Sequence, residues 1–70
     1  MRIDLGSKGV GGRNESWYYL EINEATGEKF LIHEWNNLPF SGPIDKGETK
    51  TPLSEAAGLP YYGEALNAAK

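Results

Sequence analysis

Residues 16–35, SWYYLEINEATGEKFLIHEW, decide the fold of this chain. Two runs rich in aromatic and β-branched residues, Trp17 to Ile22 and Lys29 to Trp35, flank the segment Asn23-Glu24-Ala25-Thr26-Gly27-Glu28. Such runs, bounded by turn formers, read as the strands of a β-hairpin. If Asn23 and Glu28 are the last pair, the loop runs from Glu24 to Gly27, and Gly27 supplies the left-handed backbone that such loops need near their end. Ile22 then opposes Lys29, Leu20 opposes Leu31 and Tyr18 opposes His33. One face carries Tyr18, Leu20, Ile22, Leu31, His33 and Trp35; the other carries Trp17, Tyr19, Glu21, Phe30, Ile32 and Glu34. A shorter loop, Ala25 to Gly27, would place Phe30 and Ile32 beside Leu20 and Ile22, because a one-residue slip turns a whole strand over. The longer loop is the preferred reading. Both faces keep aromatic residues in either register, so one sheet has two surfaces to account for.

Outward from the hairpin the pattern is simpler. Ile3 and Leu5 alternate with Arg2 and Asp4, as in a short first strand. Residues 6–15 hold glycines at 6, 9, 11 and 12 and read as a flexible loop. Residues 38–50 read as a second loop, opened by Asn36-Asn37-Leu38-Pro39 and ending in a short edge strand, Gly47 to Lys50, whose charges discourage pairing with other chains. Residues 52–69 read as helical. Thr51-Pro52 resembles an N-cap followed by proline at the first helical position, and Gly58 stops that first segment. Leu59, Tyr62, Leu66 and Ala69, with Ala65, then follow the spacing of an amphipathic helix opened by Pro60. The expected fold is α+β: an antiparallel sheet of three or four strands built on the central hairpin, with one face covered by C-terminal helical segments. Its expected core is Leu20, Ile22, Leu31, Leu53, Tyr62 and Leu66.

Seventy residues form at most one domain, spanning 1–70, and a chain this short buries only about 60% of the surface its unfolded form exposes. Natural chains of this size usually add disulfides, a metal or a partner. There is no cysteine and only one histidine, so no disulfide, metal site or cofactor is expected, and a protein partner or a second copy remains as the staple. The net charge of −3 is spread without blocks, and the basic stripe of a nucleic-acid binder is missing. No run approaches the ~20 apolar residues needed to span a bilayer, so no membrane association is expected. The N-terminus lacks the apolar segment of a secretory signal, which makes the cytoplasm the expected location.

No catalytic constellation emerges. The glycines do not fit a phosphate loop, because Gly12 leads into Arg13-Asn14-Glu15 and a strand instead of a Lys-Ser/Thr helix start. His33 and Glu34 are neighbours in a strand and point to opposite faces, which prevents a dyad. Ser7, Ser16, Ser41 and Ser54 have only His33 as a base, and Gly-x-Ser-x-Gly is missing. Glu21 and Glu34 share a hairpin face but read as solvated charge. The chain is therefore expected not to be an enzyme.

The order of strands, a loop ending near Lys50-Thr51-Pro52-Leu53 and a final helix resembles the small single-stranded-DNA-binding transcriptional coactivators. Phe30-Leu31-Ile32-His33-Glu34-Trp35 is similar to their second-strand pattern, apolar residues alternating up to an acid and an aromatic. The resemblance covers one hexamer and the element order; it implies base stacking on the hairpin aromatics, although the basic run of those proteins is missing here. Leu53-Ser54-Glu55-Ala56-Ala57-Gly58-Leu59-Pro60 resembles the opening of a helix-turn-helix, with Tyr61, Glu64, Asn67 and Lys70 on the second helix. Only one of those is basic, which is poor for phosphate contacts.

These readings converge on a non-enzymatic interaction module, a small regulator, inhibitor or adaptor. Its expected site is the aromatic face, where Trp17, Tyr19, Phe30 and Ile32 would bury against a protein partner or a second copy. Glu21 and Glu34 would set specificity at the rim. The alternative is a single-stranded nucleic-acid binder, disfavoured by the acidic charge. Aromatic residues are enriched in protein interfaces, and large exposed apolar patches mark binding sites.

Overall fold

The computed structural model describes residues 1–69. It is a small α+β fold in which β1 (Arg2–Lys8), β2 (Asn14–Ile22), β3 (Lys29–Asn37) and β4 (Asp45–Pro52) form one antiparallel sheet in sequence order. A 3₁₀ turn (Leu53–Glu55) and one short helix, α1 (Tyr62–Ala68), follow.

The β2–β3 turn sets the register of everything else. Asn23 N–H donates to Glu28 O at 2.8 Å, and Gly27 N–H donates to Asn23 O at 2.6 Å with Gly27 at φ 78°. Asn23 Oδ1 accepts from the N–H groups of Ala25 and Thr26, so the side chain organises the loop it opens. The loop is Glu24 to Gly27, and Leu20 pairs with Leu31, Tyr18 with His33 and Trp17 with Glu34. The longer-loop register therefore holds, and with it the division of the two hairpin faces.

On the first face Leu20 and Leu31 are fully buried with Ala56 and Ala65, while Ile3, Leu5, Ile22, Leu53 and Tyr62 pack around them. Burying a leucine fully contributes roughly 1.5–3 kcal/mol, so this pair anchors the helix to the sheet. Leu5 is the extra residue of a bulge in β1, where Asp4 opposes Tyr19 and Gly6 opposes Tyr18.

Three expectations are corrected. Cover by C-terminal helical segments is partial: among the described residues only Tyr62–Ala68 is α-helical, and it lies over the Leu20 end of the sheet. Leu66, expected in the core, is 40% exposed, because the helix begins two residues after Pro60 and turns Ala65 inward instead. The loops read over 6–15 and 38–50 are shorter, since β1 continues to Lys8, β2 starts at Asn14 and β4 starts at Asp45. The extra strand length comes from pairing with neighbouring strands, which overrides the local preference of Gly6 for a loop. A single 3₁₀ turn stands where a helix-turn-helix would need its first helix; Lys70, assigned to the second, lies outside the described residues.

Candidate functional site: the open sheet face

Among the described residues no helix or turn packs on the second face of the sheet; α1 and the 3₁₀ turn both join the core on the first face. Alternation along each strand brings Arg2 and Asp4 from β1, Trp17, Tyr19 and Glu21 from β2, Phe30, Ile32 and Glu34 from β3, and Lys46, Glu48 and Lys50 from β4 to this face. The site residues expected from the sequence are thus all on one surface, but they do not play equal parts.

Ile32 is fully buried. It sits between Tyr19 and Lys50 in register, beneath a lattice of charged side chains. Arg2 bridges Glu21 and Glu48, each at 3.0 Å, and Lys50 reaches the other oxygen of Glu21 at 2.8 Å. The Arg2 guanidinium lies 5.3 Å from the Tyr19 ring centre and the Lys50 ammonium 4.5 Å from that of Phe30. Arg2 and Glu48 start on the two edge strands, four residue pairs out of step, so their meeting requires the sheet to coil with this face concave. Glu21 consequently lies inside an ion-pair lattice and not at a free rim. Its hydrogen bonds to Lys50, and then to Arg2, hold its carboxyl below the usual range.

Toward the other end the lattice thins out. Trp17, Glu34, Asn36, Lys46 and Glu48 line an open groove of about 570 Å³, with Trp35 and Gly47 at its floor. The Tyr19 hydroxyl donates to Glu34 Oε1 at 3.4 Å. Partial burial first, and then the charge of Glu34, raise the Tyr19 phenol above its ordinary value. Phe40 is 90% exposed and carries the Arg13 guanidinium 3.8 Å from its ring centre.

The first face holds an arrangement that sequence reasoning missed. Beyond the end of α1's cover, Tyr61, Tyr18, His33 and Trp35 form a ladder of rings at successive centre distances of 4.9, 4.6 and 5.5 Å. Both outer rings lie flat on a glycine of an edge strand. A Cβ on Gly6 would sit 2.5 Å from the Tyr61 ring, and one on Gly47 would sit 2.7 Å from Trp35. Tyr61 adopts φ 65° to reach this place, a left-handed conformation rare for a residue with a side chain. His33 Nε2 and Ser16 Oγ share a 3.1 Å hydrogen bond, and burial lowers the imidazole pKa. His33 and Glu34 point to opposite faces, as their adjacency in a strand requires. Local sequence gives no sign of the Tyr61–Gly6 contact. The Lys46-x-Glu48-x-Lys50 alternation, by contrast, is a visible sign of a charged strand face.

No group of three or more His, Asp or Glu side chains suited to a metal occurs among the described residues, and no helix among them is long and apolar enough to cross a membrane. No protein-family model, curated protein or solved structure matches the chain.

Proposed function

We propose that this chain is a non-enzymatic interaction module that binds a protein partner through its concave open face, at the Trp17 groove. The observation that carries this reading is the contrast along that face. At one end Ile32 is sealed under the Arg2–Glu21–Lys50 lattice. At the other, Trp17 borders an open groove beside two carboxylates, Glu34 and Glu48. The sealed end holds the aromatic residues in fixed positions, so little ordering cost is left for binding.

The chemistry favours a basic side chain on the partner, an arginine above all. A guanidinium can stack on the Trp17 indole while its edge meets Glu34 and Glu48. Lys50, Tyr19, Phe30 and Glu21 then frame the contact, and the net charge of −3 attracts a basic partner. Single-stranded nucleic acid fits less well. Asp4, Glu21, Glu34 and Glu48 would face its phosphates, and Arg2 and Lys50 are already engaged by Glu21.

Panning a displayed random-peptide library against the immobilised chain tests this reading. Arginine-rich peptides that are released by excess soluble chain, and not by soluble Glu34→Lys chain, are the expected outcome. Recovery of peptides with no basic residue, or release by both chains alike, would overturn it.

A further inference from the structure

The two edges of the sheet are not equivalent. On β1 the bulge at Leu5 breaks the regular ladder. Tyr61 lies on Gly6 there, and its hydroxyl donates to Ser7 O at 3.4 Å. β4 has neither device: its strand Asp45–Pro52 is regular, and Lys46, Glu48, Thr49 and Lys50 are exposed.

Backbone hydrogen bonds reveal which groups of β4 are free. Asn23 N–H bonds Glu28 O and Leu38 N–H bonds Arg13 O, so the even-numbered residues of β3 turn their peptide groups toward β2. Leu31, His33, Trp35 and Asn37 must then bond β4, through Thr51, Thr49, Gly47 and Asp45. Lys46, Glu48, Lys50 and Pro52 are left with their backbone groups directed outward. Pro52 offers only a carbonyl.

A second copy can add antiparallel to this edge only in registers that set outward residues opposite outward residues. Centring the two-fold axis on Glu48 opposes Glu48 to itself and Lys46 to Lys50; centring it on Lys50 opposes the two lysines. Like charges directly opposite destabilise a sheet. Centring on Gly47 pairs Lys46 with Glu48 but drives Lys50 beyond the strand, against Ile44. Centring on Thr49 places Glu48 opposite Lys50 of the second copy twice over. It also lets Lys46 N–H donate to the Pro52 carbonyl, giving about six backbone hydrogen bonds. Glu48 and Lys50 keep side-chain exposures of 42% and 53% within their own lattice, so both can reach a partner.

We infer that the chain associates with a second copy through β4 in the Thr49-centred register, making one continuous eight-stranded sheet. The pairing also brings Lys50 and Pro52 of the second copy alongside the Lys46–Glu48 wall of the Trp17 groove. This inference stands on the β4 edge alone and does not depend on the groove's ligand.

The charge pattern supplies a test. Glu48→Lys sets lysine against lysine at both pairs, and Lys50→Glu sets glutamate against glutamate. In sedimentation equilibrium at high micromolar concentration, each variant alone should associate at least about tenfold more weakly than the parent. An equimolar mixture restores both opposite-charge pairs and should return to dimer, twice the 7.7 kDa chain mass. Thr49→Cys adds a second readout. It gives the chain its only cysteine, placed about 4.5 Å in Cα separation from its copy, a distance a disulfide can span. Rapid covalent dimer formation by Thr49→Cys and slow formation by Glu48→Cys is expected, with circular dichroism confirming that each variant folds. A parent chain that stays monomeric, a mixture that fails to pair, or faster linking at 48 than at 49 would overturn the inference.

Discussion

Tyr61 is held in a backbone conformation that its own side chain disfavours, and this makes a comparison of two substitutions informative. At φ 65° an L-residue costs about 1–2 kcal/mol relative to a right-handed conformation, a cost glycine escapes. The ring offsets it by lying on Gly6 and against Tyr18, with centres 4.9 Å apart at a 36° tilt. An aromatic pair contributes about 0.5–1.5 kcal/mol beyond the area it buries. A half-buried ring adds roughly half the 3–5 kcal/mol cost of truncating a buried one, so Tyr61→Ala should destabilise by about 2–4 kcal/mol. Tyr61→Gly deletes the same ring but relieves the backbone, and should cost about 1 kcal/mol less than the alanine variant. Glycine is also preferred over alanine at a helix N-cap, the place Tyr61 occupies, so both effects act in the same direction. Thermal unfolding followed by far-ultraviolet circular dichroism resolves the difference, since about 1 kcal/mol moves the midpoint by roughly 4–8 °C in a chain of this size. A glycine variant as unstable as the alanine variant, or more so, would refute the reasoning.

Other outcomes follow from the same contacts. Gly6→Ala places a Cβ 2.5 Å from the Tyr61 ring and should cost about 1–3 kcal/mol more in the parent than in Tyr61→Ala, where only the strain of a side chain at φ 155° remains, a coupling measured by a double-mutant cycle in urea. Ile32→Ala should cost about 2–4 kcal/mol because Ile32 is fully buried, whereas Leu66→Ala should stay within about 0.5 kcal/mol; equal effects would contradict the placement of both. Acidification should destabilise the chain in two windows. His33 has a folded pKa lowered by burial, so the unfolded chain takes up its proton first and stability falls as pH drops below 6.5, levelling under the folded value. Glu21, lowered by Lys50 and then Arg2, contributes stability that is present above 4.5 and is lost as pH falls through its folded value. Urea midpoints across both windows should flatten in the upper one for His33→Phe and in the lower one for Glu21→Gln.

The parts of the fold legible in the sequence are those fixed by local chemistry. Asn23 and Gly27 lie within their own turn, and together they set the register that divides Trp17, Tyr19 and Phe30 from Tyr18, Leu20 and Leu31. The early start of β4 was less visible, because Asp45 and Lys46 carry no apolar side chain to mark a strand. The Tyr61 contact joins positions 54 apart and leaves no periodic trace. Its geometry also shortens α1, which is why the amphipathic spacing of Leu59 and Leu66 did not translate into burial. At the site, alternation correctly placed six residues on one face. It could not show that Ile32 is sealed, since that depends on Arg2 reaching Glu48 across a coiled sheet.

The proposed role of the open face is tested most directly by the affinity of one arginine-rich peptide, selected on the parent chain, for three folded proteins: the parent, Trp17→Ala and Phe40→Ala. Loss of a central aromatic contact typically exceeds 1 kcal/mol, so Trp17→Ala should bind about tenfold more weakly while Phe40→Ala binds as the parent does. Unchanged affinity for Trp17→Ala together with weakened binding by Phe40→Ala would move the contact to the exposed loop end and contradict the account.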